Sequence, residues 1–162
     1  MPLIKNGAET SDSWTFLDDE AELNGERAVT LPLSRFLAEV PQITGRNAPT
    51  GVRLQPEDDP EALVPYLQHI QLIEVSFPKY TDGRGYSQAQ LLRRRHRYAG
   101  ELRAVGHVLR DQIFYMNRSG FDAYETDRAD LHEVLEALSE YTEVYQPAAG
   151  GAAPVFRKRH GS

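Results

Sequence analysis

The stretch Leu72–Gly106, LIEVSFPKYTDGRGYSQAQLLRRRHRYAGELRAVG, decides how this chain is read. LIEVSFP is a short apolar run ended by a proline and reads as a strand. KYTDGRGYS is a glycine-rich turn, and Ser87 is placed to cap a helix through QAQLLRRRHRY. ELRAVG then reads as the next strand. A strand, a helix and a second strand at this spacing form a βαβ unit, whose strands are parallel and whose crossover is right-handed.

The same order recurs on both sides of that unit. Upstream, AVTLP is a strand, and Leu33, Phe36, Leu37 and Val40 follow at i, i+3, i+4 and i+7, the stripe of an amphipathic helix with Ser34 as its candidate cap and Pro41 as its end. GVRLQP is a second strand. Asp58 or Asp59 caps the next helix, with Pro60 in its first turn, Ala62, Leu63, Tyr66 and Leu67 on its buried face, and Pro65 shortening or kinking it. Downstream, HVLRDQIFYMNRSG is a helix stopped by Gly120, FDAYET is a strand, and ADLHEVLEALSEY is a helix carrying Leu131, Val134, Leu135 and Leu138. Ahead of all this, Asn6-Gly7 is a type I′ turn signal between Leu3-Ile4 and the apolar Trp14–Leu17. It predicts a hairpin or extended arm within residues 1–25. The composition of QPAAGGAAP predicts a flexible tail over 147–162.

These elements predict one α/β domain over residues 1–146, built on a mainly parallel five-stranded sheet of successive βα units. Five units are too few to close an eight-stranded barrel. An open, doubly wound sheet is the first expectation, and a half-TIM-barrel-like arrangement is the second.

Composition narrows the chemistry. The chain has no cysteine, which excludes disulfides, thiolate catalysis, cysteine-held iron–sulfur clusters and zinc–thiolate sites. No apolar run approaches the ~20 residues of a membrane-spanning helix. The N-terminus lacks the basic and apolar regions of a secretory signal, so a cytoplasmic location is expected. Between Lys79 and Arg110 stand eight basic residues (Lys79, Arg84, Arg93, Arg94, Arg95, Arg97, Arg103, Arg110) against Asp82 and Glu101, a balance of +6 in a chain of net charge −6. A basic face on an acidic protein suggests a small anion or an acidic partner surface rather than nucleic acid, for which the aromatic platforms and basic overall balance are missing.

Ligands of parallel sheets sit beyond the carboxyl ends of the strands. That rule selects Lys79, Gly83, Arg84, Gly85 and Ser87 after one strand and His107 and Arg110 after the next as candidate anion contacts, with Asp82 and His107 as candidate acid/base groups. Gly83 and Gly85 would let successive amides form an anion nest, and Arg84 would add its guanidinium. A plain tight turn with Arg84 paired to Asp82 explains the same residues. Arg93, Arg94 and Arg97 are candidates for docking onto an acidic partner, although a solvated helix face with some pairing to acidic neighbours is the favoured explanation. The histidines show no metal spacing, and there is no Walker loop, GxGxxG, HExxH or GxSxG. The sequence fixes no cofactor.

FPKYTDGRGYSQAQLLR (Phe77–Arg93) and GELRAVGHVLRDQIFYMNRSGFDAYE (Gly100–Glu125) resemble a bacterial family of uncharacterised domains. Its members are often encoded beside assimilatory sulfite or nitrite reductase genes and are sometimes labelled probable oxidoreductases involved in sulfite reduction. The resemblance runs from the MPLIKNG start to Gln146. Two positions depart from the pattern: His107 stands where the family often has Asp, and Ser119 where it often has Cys. The resemblance implies a link to sulfur assimilation; together with the charge segregation it suggests an accessory protein of sulfite or nitrite reduction, binding an oxyanion, an anionic cofactor or the reductase. An enzyme acting on a small anionic substrate and a non-catalytic, possible homodimeric, interaction protein are the alternatives.

Overall fold

The computed structural model describes residues 2–23, 27–79, 83–108, 110–126 and 131–145. The expected tail and Asp82 lie outside them. Eight strands run in one sheet: β1 (Leu3–Lys5), β2 (Ala8–Thr10), β3 (Thr15–Phe16), β4 (Val29–Pro32), β5 (Thr50–Leu54), β6 (Leu72–Phe77), β7 (Glu101–Gly106) and β8 (Ala123–Glu125). Between them lie α1 (Leu33–Ala38), α2 (Val40–Thr44), a 3₁₀ helix (Pro60–His69), α3 (Arg84–Gln90) continuing as a π-helical turn (Leu91–Arg95), a 3₁₀ turn (Arg110–Gln112), α4 (Ile113–Ser119) and, last, α5 (Leu131–Tyr145).

The sheet order is β2-β1-β8-β7-β6-β5-β4-β3. The strands β4 to β8 are parallel neighbours in chain order. This confirms the five βα units. Consecutive right-handed crossovers always step the same way and leave every helix on one face. That is the half-barrel arrangement, and it replaces the doubly wound sheet, whose strand order must reverse. The hairpin also forms: Asn6 and Gly7 both take positive φ (57° and 80°), as a type I′ turn requires, and join antiparallel β1 and β2. Its second strand is Ala8–Thr10, whereas Trp14–Leu17 contributes β3 at the far edge.

Simple reach shows how strongly the sheet curls. Seven inter-strand spacings make the strip roughly 34 Å across. Yet only residues 11–14 connect β2 at one edge to β3 at the other. Five extended residues reach about 18 Å at most, so the strip curls through roughly half a turn or more.

Side chains alternate between the two faces. One face presents Val29, Leu31, Val52, Leu54, Ile73, Val75, Phe77, Leu102, Ala104 and Tyr124, all buried in the core with Phe36, Leu63, Ala89, Leu92, Ile113, Met116, Val134 and Leu138 from the helices. The other, concave face carries Lys5, Arg53, Glu74, Ser76, Glu101, Arg103 and Glu125.

Local signals hold with some shifts. Asp59 caps the 3₁₀ helix through Glu61 N at 2.9 Å, and Gly120 ends α4 at φ 114°. Pro41 falls in the first turn of α2 instead of ending a helix, and Pro32 rather than Ser34 precedes α1.

Candidate functional site

The sheet separates the arginines and lysine that the sequence groups together. Phe77 pairs with Gly106, and the His107 amide donates to the Phe77 carbonyl at 2.8 Å. The loops after β6 and β7 therefore share one rim, which brings the exposed Lys79, Arg84 and His107 together at the carboxyl ends of the strands. Arg110 begins the 3₁₀ turn that follows. Neither glycine of the expected anion nest takes positive φ. Gly83 has φ −88° and precedes α3, and Gly85 lies buried inside the first turn of α3. A Cβ on Gly85 would lie 2.6 Å from the Phe77 ring, so close packing, not backbone freedom, demands this glycine. Ser87 sits within α3 and does not cap it, because the helix already starts at Arg84.

The arginine run lies at the opposite end of the sheet. Arg93 does not face solvent as a docking residue should. Its guanidinium donates to the carbonyls of Gly120 (2.9 Å), Tyr98 (2.7 Å) and Gly100 (2.7 Å) and to Asp122 (2.5 Å). It thereby ties together the turns that enter β7 and β8. Burial pushes the Asp122 carboxyl up, against the opposing pull of Arg93. The Tyr98 hydroxyl donates to Ile70 O at 2.9 Å, and its burial drives its titration far upward. Arg93→Met is expected to cost about 3 kcal/mol in urea unfolding, since three carbonyls and a carboxylate lose their donor; a loss under about 1 kcal/mol would show that water replaces it. Arg94, Arg95 and Arg97 are exposed, as is Arg118, whose carbonyl accepts from Arg94 at 3.2 Å. Among the described residues no carboxylate pairs with these four. The backbone here is irregular twice over, with the π-helical turn at Leu91–Arg95 and Arg97 at φ 54°. Such conformations cost energy and cluster where a surface is used.

The third arrangement, on the concave face, is one that pattern reading overlooked. Arg103, counted above with the basic face, is 1% exposed. It meets Glu101 at 3.0 Å, Asp12 from the β2–β3 connection at 3.1 Å, and Glu74 at 3.7 Å. Lys5 reaches Glu101 at 2.9 Å, and Arg53 reaches Glu74 at 2.8 Å while its guanidinium carbon stands 4.0 Å above the Phe16 ring. Burial alone would lower the Arg103 titration, but Glu101, Asp12 and Glu74 together hold it above the ordinary arginine range. For Glu125, burial raises the carboxyl, helped by Glu74 and Asp12 and opposed by Arg53 and Arg103. The signal was present in the strands: β5, β6 and β8 carry one charge each and β7 carries two, all in phase with the face opposite the apolar residues.

Among the described residues no group of three or more His, Cys, Asp or Glu is arranged to hold a metal ion, and no helix is long and apolar enough to cross a membrane. A family model described as a bacterial protein of unknown function, DUF934, matches residues 51–156, which begins within β5 and extends past α5. No curated protein matches the chain.

Proposed function

The chain belongs to the bacterial DUF934 family of unknown function, and from that premise we propose that it is an accessory protein of assimilatory sulfite or nitrite reduction, working in the cytoplasm and docking onto the reductase through its arginine end. The carrying observation is the cluster of Arg94, Arg95, Arg97 and Arg118, exposed and without a carboxylate partner among the described residues, on a chain of net charge −6. Exposed guanidinium groups offer planar forks to carboxylates, and a local positive patch speeds and orients encounter with an acidic surface. The link to sulfite or nitrite reduction rests on the sequence resemblance of Phe77–Arg93 and Gly100–Glu125. With no cysteine, the chain is a companion of the iron–sulfur reductase and not the reductase itself.

Binding to the cognate reductase at low salt tests this reading. A triple reversal, Arg94→Glu, Arg95→Glu and Arg97→Glu, is expected to weaken binding more than about tenfold, and added salt should weaken the wild type similarly. The pair Lys79→Glu and Arg84→Glu, at the other end, should leave binding nearly unchanged. Absence of binding, together with unimpaired sulfite and nitrite reduction in a deletion strain, would remove the proposal. The enzyme reading draws on Lys79, Arg84 and His107 sharing one rim. It gains if only the rim pair changes the reductase's turnover.

A further inference from the structure

We propose that the concave face of the curled sheet binds a small oxyanion on the Nη groups of Arg53, with Ser76 and Glu125 completing its hydrogen bonds. This is separate from the docking reading, which concerns the opposite end of the strands.

Arg53 is held from two sides. Its Nε donates to Glu74 Oε1 at 2.8 Å, and its guanidinium carbon lies 4.0 Å from the centre of the Phe16 ring. Glu74 is itself 3% exposed, so the clamp is rigid. The two Nη groups have no acceptor among the described residues, although the side chain is only 23% exposed. A guanidinium fixed at Nε and over a ring presents its remaining donors as a ready fork for two oxygens on one centre.

Two more polar side chains with unused capacity lie on the same face, one row nearer the carboxyl ends of the strands. Ser76 of β6 pairs with Val105 of β7, and the next position along β8 is Glu125. Both Ser76 and Glu125 are partly buried, and neither side chain has a hydrogen bond among the described residues. Below them the Glu74–Arg103 contact of 3.7 Å forms a floor that is already charge-balanced. The groups facing Glu125 are Glu74, Arg53, Asp12 and Arg103, and burial favours its protonated form. A protonated carboxyl donates to an anion, whereas an ionised one repels it. Binding should therefore take up a proton and weaken as pH rises through the titration of Glu125.

Nitrite and sulfate are suitable probes, one bent and one tetrahedral, because neither changes charge between about pH 5.5 and about pH 8. Titration calorimetry on the full chain is expected to show binding in about the millimolar range or tighter, several-fold stronger at the lower pH. Arg53→Lys keeps the charge beside Glu74 but loses the fork, and should weaken binding about tenfold at both pH values. Glu125→Gln keeps a donor that cannot ionise, so it should bind equally at both. The triple arginine reversal expected to weaken docking should bind both anions as the wild type does. Failure of the wild type to bind either anion, wild-type affinity in Arg53→Lys, or a surviving pH dependence in Glu125→Gln would each overturn the assignment. If Arg53→Lys does not fold, the pH profile of Glu125→Gln decides alone.

Discussion

Arg103→Ala is expected to lower unfolding free energy by about 3–5 kcal/mol. The guanidinium is 1% exposed and lies among Glu101, Asp12 and Glu74, the last of them 3% exposed. Truncation leaves those carboxylates facing one another without the cation that offset their desolvation. The loss should also depend on pH in a definite direction. Burial raises the Glu125 carboxyl and Arg103 opposes that shift, so losing Arg103 raises it further. The folded variant then binds more protons than the unfolded chain across that interval, and gains stability as pH falls. The gap between wild type and variant should thus narrow from about pH 7 to about pH 5 in urea titrations. A loss below about 1 kcal/mol, or a gap that widens in acid, would mean that solvent already screens this group. Lys5→Ala, which removes a 44% exposed partner of Glu101, should cost far less.

Phe77→Ala is expected to cost about 3–5 kcal/mol. Phe77 ends β6, is 1% exposed, and packs against Tyr86 and Phe121 with ring centres 5.1 and 5.8 Å away. It is also the residue around which the rim is built. A Cβ on Gly85 would meet its ring at 2.6 Å, and a Cβ on Gly106, at φ 102°, would meet its carbonyl oxygen at the same distance. Gly85→Ala alone should therefore destabilise by about 1–3 kcal/mol through overpacking. In the double variant the alanine fills part of the space the ring leaves, so the two losses should sum to more than the measured total. Strict additivity in chemical denaturation would show that the ring and the glycine do not share that space.

The repeat of strands and helices was legible because parallel strands buried against helices are apolar on that side and their punctuation is strong: Asn6-Gly7, Asp59-Pro60 and Gly120 each act where their backbone chemistry places them. The winding was legible too, had the second face been weighed. A doubly wound sheet covers both faces with helices and needs near-continuous apolar strands. Arg53, Glu74, Glu101 and Arg103 all fall on the face opposite the core residues, which only a singly covered sheet tolerates. The expected basic face does not form as one surface, because proximity in sequence is not proximity in space. A helix running back along the sheet carries Arg84 and Arg97 to opposite ends, and a strand turns Arg103 inward. No local pattern could show that Asp12 would reach Arg103, since their contact depends on the curl of the whole sheet.

The pairing of β1 with β8 sets Lys5 opposite Ala123 and Ile4 opposite Tyr124. Those partners lie nearly the whole domain apart along the chain, so closing their ladder carries a high loop-closure cost. Without the hairpin, the outer edge of β8 would be a bare row of amides and carbonyls. A form truncated to begin after Thr10 would therefore expose an adhesive border, prone to joining with its own kind.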